Sequence, residues 1–262
     1  MSARGIYMNN LVGCYVGTTM SGANRFDLMT EDHAACVWVR VKGPSGGSNS
    51  VGNPVLAVVS TNWGTDHGAN ARVVSTDSRY GASPWVQAGY SQIGTGADTN
   101  NGDTGDAVAT DEDWFWFVSY KYSTGVFTFM YGKDGAGALT TFNSGAYTFT
   151  DSRIDEIGFG GSTLINDQYS NVEVTCARAW KRAFSAAEAL AEMKSATPVK
   201  SSTSAPDFLW GSWPLTSTTD LADTSGNGRD LTRTGTSVNG TMDPVDIQAT
   251  SSACTFYGRL IA

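Results

Sequence analysis

Five consecutive apolar residues, Trp114-Phe115-Trp116-Phe117-Val118, restrict the fold of this chain more than any other stretch. Side chains of an extended strand alternate between two faces, so a run with no polar position leaves neither face for water. Such a strand needs cover on both sides, as expected for a central strand of a two-layer sandwich. A tight Ser123-Thr124-Gly125 turn follows, and residues 126–131 return as the second arm of a hairpin. Elsewhere the apolar pattern is again of period two, in short runs rich in Val, Tyr, Phe, Trp and Thr between Gly, Asn, Asp and Ser clusters. The expected strands are 13–18, 35–41, 55–60, 71–75, 85–90, 114–122, 126–131, 154–160 and 171–180, with 13–18 the first. Many short strands and glycine-rich turns define an all-β chain folded as a two-sheet antiparallel jelly-roll sandwich.

Composition agrees and excludes several partners. Thirty of 262 residues are glycine, against an average near 7%. Aromatic residues at 11% supply ample area for a core. The formal charge is 17 − 25 = −8 with no basic block, so neither the phosphate backbone of nucleic acid nor an anionic membrane is an expected partner. No apolar run approaches the roughly 20 residues of a membrane-crossing helix. Cys14, Cys36, Cys176 and Cys254 stand far apart without a CxxC or a histidine neighbour, which reads as buried free thiols in a reducing compartment.

One segment is helical by its own chemistry. Ser185-Ala186-Ala187-Glu188 is a capping box, and Ala189 to Met193 follow it. Residues 197–206 (TPVKSSTSAP) then have linker composition. The expected organisation is a sandwich over 1–196, a linker over 197–206, and a C-terminal segment, 207–262, that completes or extends the sandwich. That segment carries Trp210, Trp213 and a polar turn, Asp223-Thr224-Ser225-Gly226-Asn227-Gly228. With fewer than 60 residues it is too small to be expected to fold alone.

Several of these pieces occur in an order that resembles the LamG-like jelly-roll domains of the concanavalin A-like lectin and glucanase superfamily. Ala34-Ala35-Cys36-Val37-Trp38-Val39-Arg40 is similar to that family's early strand, and Asp113-Trp114 through Tyr131-Gly132-Lys133-Asp134-Gly135 to its central hairpin. Residues 153–161 (RIDEIGFGG) resemble the next strand and turn. Residues 171–193 (NVEVTCARAWKRAFSAAEALAEM) resemble the closing strand and its helix, with Phe184 where the family has Leu. Trp213-Pro214-Leu215 and the Asp223 turn look like the segment that usually opens such domains, yet here they lie near the end. First and last strands of jelly rolls are neighbours, so the resemblance implies a permutation-like arrangement with the tail in the place of the opening strand.

Glycosidases of this superfamily carry a Glu-x-Asp-x-x-Glu strand; the nearest run here contains Asp155 and Glu156, which point to opposite faces, with no partner in register. Their expected roles are a turn contact and a solvated strand face. Asp111-Glu112-Asp113 reads as a solvated turn before the central strand, with an acid/base pair or ion ligand as the alternative. His33 and His67 lack zinc-binding spacing. Residues 97–106 (ADTNNGDTGD), with Asp103 and Asp106, and the turn with Asp223 and Asn227 have the oxygen chemistry that calcium prefers. Their plainer readings are a polar loop and an Asx-turn. Trp63, beside Asn62 and Asp66, and Trp85 sit at turn signals and are the candidate aromatic platforms for a sugar; packing at the sandwich end is the alternative.

These readings lead to a non-catalytic structural or binding protein, expected as a phage virion surface component, a capsid decoration or tail-associated protein. It would be homo-oligomeric, contact other virion proteins and bind cell-surface glycans weakly through many copies. Residues 250–262 (TSSACTFYGRLIA) are apolar enough to dock on a neighbour. The alternative is a secreted or cell-surface carbohydrate-binding module; a glycosidase is disfavoured by the carboxylate register.

Overall fold

The computed structural model describes residues 5–8, 15–19, 25–27, 30–42, 53–54, 56–59, 75–77, 85–87, 103–107, 111–143, 146, 153–154, 156–162, 168–169, 171–195, 198, 208–242 and 244. In chain order the strands begin with β1 (Ile6–Met8), β2 (Tyr15–Thr19), β3 (Phe26–Asp27), β4 (His33–Val41), β5 (Asn53–Pro54), β6 (Leu56–Val59) and β7 (Ser75–Asp77). They continue with β8 (Trp85–Gln87), β9 (Asp103–Ala107), β10 (Asp113–Lys121), β11 (Val126–Lys133), β12 (Thr140–Asn143), β13 (Arg153–Ile154) and β14 (Glu156–Phe159). Then come β15 (Gly161–Ser162), β16 (Gln168–Tyr169), β17 (Val172–Trp180), helix α1 (Ala186–Met193), β18 (Leu209–Trp213), β19 (Thr232–Thr234) and β20 (Ser237–Asn239).

The larger sheet has eight strands in the order β12-β11-β10-β4-β17-β1-β20, with β18 also on β17, and the facing sheet runs β19-β2-β14-β6. Every strand pair is antiparallel in both. A smaller sheet, β5-β7-β8-β9, and the ribbons β13-β3 and β15-β16 complete the described strands. The chain is an all-β, two-sheet jelly-roll sandwich, with one short helix among the described residues.

The run Trp114–Val118 does have cover on both faces, from two different sources. Trp116 and Val118 enter the core between the sheets, with Val37 and Val39 of β4 and Val16, Leu56, Ile157 and Phe159 from the facing sheet. Phe115 and Phe117 point the other way, with Cys36 and Trp38, and are covered by Phe184, Ala189 and Met193 of the helix and its approach. The second layer of the sandwich thus covers one face and α1 the other. The capping box is present: the Ser185 hydroxyl accepts from the Glu188 N–H, and the Glu188 carboxylate accepts from the Ser185 N–H at 2.9 Å.

The helix is also tied to the sheet by an ion pair between Arg178 of β17 and Glu192 of α1, buried at 5% and 0% side-chain exposure. Arg178 faces outward only because β17 changes phase. Val172 and Val174 point into the core, Cys176 takes a left-handed backbone (φ 48°) in a bulge, and Ala177 and Ala179 point inward after it.

The C-terminal segment enters both sheets. β4 runs along one edge of β17, so β1 at Val172–Val174 and β18 at Ala177–Trp180 share the other. β20 extends the larger sheet beyond β1, and β19 pairs with β2 of the facing one. The first strand is therefore β1 and not the run at 13–18, whose described part is β2. Ile6 and Met8 are fully buried, although a three-residue strand shows no periodicity of its own. The linker at 197–206, except Pro198, and residues 250–262 lie outside the described residues.

Candidate functional site

Near the outer end of β18 the chain builds a hydrogen-bonded turn around Asp223. One carboxylate oxygen accepts from the N–H groups of Ser212 (3.0 Å) and Ser225 (2.9 Å); the other accepts from the Ser225 hydroxyl (2.8 Å) and the Arg229 N–H (3.0 Å). Burial alone would raise the Asp223 carboxyl, but these bonds outweigh it and hold it below the usual carboxylate range. Gly226 and Gly228 supply the left-handed backbone of the bend, at φ 87° and 68°. The Asn227 amide donates to the carbonyls of Leu209 (3.0 Å) and Trp210 (3.3 Å) and to the Ser225 hydroxyl (2.9 Å). The turn thereby clasps β18.

The same bonds place Arg229. Its guanidinium lies 4.6 Å from the centre of the Trp210 ring and donates to the Trp210 carbonyl at 2.6 Å. On the other side Lys181, just after β17, is set by its N–H bond to the Phe208 carbonyl (2.8 Å), and its ammonium lies 3.2 Å from Glu31. Between them opens a solvent-facing cleft of about 290 Å³ lined by Lys181, Phe208, Leu209, Trp210, Asn227 and Arg229. Phe208 is 44% exposed, and the lining includes an amide residue and two cationic residues, the Lys181 ammonium being held by Glu31 and by the Arg25 carbonyl at 3.5 Å.

Asp223 and Asn227, one of the two pairs with the oxygen chemistry of a calcium site, are thus brought into one turn. The Asp223 oxygens there face N–H and O–H donors, and a cation would have to displace them; the Asx-turn describes this geometry. Asp103 and Asp106 lie on β9, so residues 103–107 are strand rather than polar loop. Trp85 opens β8 opposite Asp77 and Ala107. The side chains of Asp103, Asp106 and Trp85, and the whole of Asn62, Trp63 and Asp66, lie outside the described residues, as do Asp155 and His67.

Other acidic positions are committed elsewhere. Glu156 is fully buried, which corrects its reading as a solvated strand face: all four residues of β14 are buried, and on the face that Glu156 shares with Gly158 the chain at Gly161 lies against the strand. Asp113 is part of β10 and not of a solvated turn; it holds the Arg40 guanidinium through both oxygens, at 2.6 and 2.9 Å. Burial pushes the Asp113 carboxyl up, and Arg40 opposes this only in part. Glu112 pairs with Lys133 at 2.6 Å, and Asp111 with Lys42. Among the described residues no group of three His, Cys, Asp or Glu could hold a metal ion.

His33 is fully buried, stacked on Phe26 (5.2 Å between centres, 6° between planes) and beside Tyr120 (5.0 Å). Neither ring nitrogen has a hydrogen-bond partner among the described residues, and burial lowers its pKa to about 3. Cys36 is a free thiol, and burial pushes it well above the usual thiol range. Cys14 and Cys254 lie outside the described residues.

No protein-family model and no curated protein matches the chain. Solved structures do. A candidate carbohydrate-binding protein from Bacteroides ovatus aligns with a TM-score of 0.50 at 11% identity, over 92% of this chain and 61% of that one. Trypanosoma rangeli sialidase aligns at 0.43 and 12% identity over 63% and 23%, and a SAP-like pentraxin from Limulus polyphemus at 0.44 and 7% over 89% and 97%. This chain therefore spans less than two thirds of the length of the first two. At 11% identity the Bacteroides ovatus match is a likeness of fold, a lectin-like β-sandwich.

Proposed function

We propose that this chain is a non-catalytic glycan-binding sandwich displayed on the surface of a virion, most consistent with a phage capsid decoration or tail-associated protein, and that the cleft beside β18 is its binding face. The observation that carries the glycan reading is the cleft itself. An exposed aromatic ring at Phe208 offers a flat surface to the C–H face of a sugar, and Asn227, Arg229 and Lys181 beside it offer hydrogen bonds to hydroxyls. One such shallow site binds weakly; many copies in a homo-oligomer bind through avidity. The free, buried thiol of Cys36 suits folding in a reducing compartment, as a particle assembled inside a cell requires. The LamG resemblance is in keeping with this role, and Trp63 and Trp85 are further platforms of the same reading. Nucleic acid and membrane are not proposed as partners.

Two measurements test it. Glycan-array binding that Phe208→Ala abolishes supports the cleft, and an array without a hit overturns it. Light scattering on the native protein tests the assembly: a trimer or larger ring supports the particle role, and a stable monomer favours the free secreted or cell-surface module.

A further inference from the structure

We propose that the β18 cleft selects an anionic saccharide, whose carboxylate or sulfate group sits between Lys181 and Arg229 while its apolar face rests on Phe208. This inference rests on the glycan-binding reading above and adds the charge of the ligand. The chain carries a formal charge of −8, yet the six residues that line this cleft include two cations and no carboxylate. A neutral sugar is held by donors and acceptors together, and here the side-chain acceptor of the lining is the Asn227 amide oxygen alone, against two cations. Paired cations without a lining carboxylate are complementary to an oxyanion instead.

The cations are also held in place before any ligand arrives. Arg229 is fixed on the Trp210 ring by the bond to the Trp210 carbonyl, and its own N–H is anchored on Asp223. Lys181 is anchored through its backbone to Phe208, and its ammonium is shared with Glu31 at 3.2 Å on both oxygens. Glu31 is not among the lining residues, so its carboxylate restrains Lys181 without filling the cleft. Burial lowers the pKa of Arg229, and Asp223 only partly opposes this; an added anion would compensate the lost solvation. Phe208 is one of three large apolar side chains standing exposed among the described residues, and the one that lines this cleft.

The test uses the full chain on an array with three kinds of oligosaccharide: uronic acid-containing, the same sugars after carboxyl reduction, and sulfate-bearing neutral sugars. Affinities of the hits are then measured in solution at low and high salt. Acidic sugars should bind about ten-fold more tightly than their carboxyl-reduced counterparts, the difference expected for one charge-assisted contact. Added salt should reduce that preference. Preference for uronate or for sulfate identifies which oxyanion the site takes, and either supports the proposal. Lys181→Gln should remove most of the preference, and Phe208→Ala should weaken acidic and reduced sugars alike; both are checked for an unchanged melting temperature. If Lys181→Gln does not fold, Arg229→Lys serves as the second charge variant. Equal affinity for acidic and reduced sugars overturns this inference and leaves glycan binding standing. No binding to any sugar overturns the glycan reading itself.

Discussion

His33 gives the structure a pH dependence that can be worked out before it is measured. Its ring is enclosed by Phe26, Tyr120 and Phe127, and burial lowers its pKa from 6.5 to about 3. In the unfolded chain the imidazole titrates near 6.5, so below that pH the unfolded state takes up a proton that the folded state refuses. Stability is therefore complete above about pH 7, falls as the pH drops through 6, and levels off only near the folded value. Between pH 7 and pH 5 the loss from this one group is about 2 kcal/mol, or a melting temperature lower by roughly 4–8 °C for a chain of this size. Most carboxylates titrate below that window, which leaves the slope attributable to histidine. The perturbation is His33→Phe, which keeps a ring among rings and removes two buried nitrogens without hydrogen-bond partners. Urea unfolding of the wild type and His33→Phe at half-unit steps of pH should show the slope in the first and a much flatter curve in the second. A variant that keeps the full wild-type slope would refute the reasoning, as would an imidazole signal of His33 that titrates near pH 6.5 in the folded protein.

Other substitutions test the remaining contacts. Glu192→Ala leaves Arg178 charged and buried against the sheet and should cost about 3–5 kcal/mol in urea unfolding, while Arg178→Met combined with Glu192→Leu should recover much of that loss. Ser185→Ala removes the helix cap and should cost about 1 kcal/mol, with α1 amides exchanging faster than those of β10. Gly158→Ala places a methyl 2.5 Å from the Gly161 carbonyl oxygen, a backbone atom that cannot swing aside; it should cost about 1–3 kcal/mol, and an unchanged midpoint would contradict the packing of β14.

The parts of the fold legible in the sequence were those whose signal is local. Trp114–Val118 and residues 126–131 declare a hairpin by themselves, and Ser185 with Glu188 marks the start of α1 three residues apart. The parts that stayed hidden depend on distant partners. Ile6-Tyr7-Met8 is too short to show a period and is a strand because β17 and β20 flank it. Glu156 reads as solvated because its side chain is charged; its burial follows from the chain at Gly161, which lies against that face of β14. The bulge at Cys176 resets the alternation of β17 and so hid Arg178 as the partner of Glu192. The cleft was the least legible feature, since Lys181, Phe208 and Arg229 belong to separate segments joined by the β17–β18 pairing and the Asp223 turn. Trp210 and the turn were visible; that the turn folds back onto β18 through Asn227 was not.

The most direct test of the account is a chemical-shift map of the full, isotope-labelled chain titrated with an acidic oligosaccharide that binds on the array. The account predicts shift changes at Lys181, Phe208, Asn227 and Arg229, with residues of α1 and the sandwich core unmoved. Shift changes confined to the segments around Trp63 and Trp85, or none at saturating sugar, would contradict it.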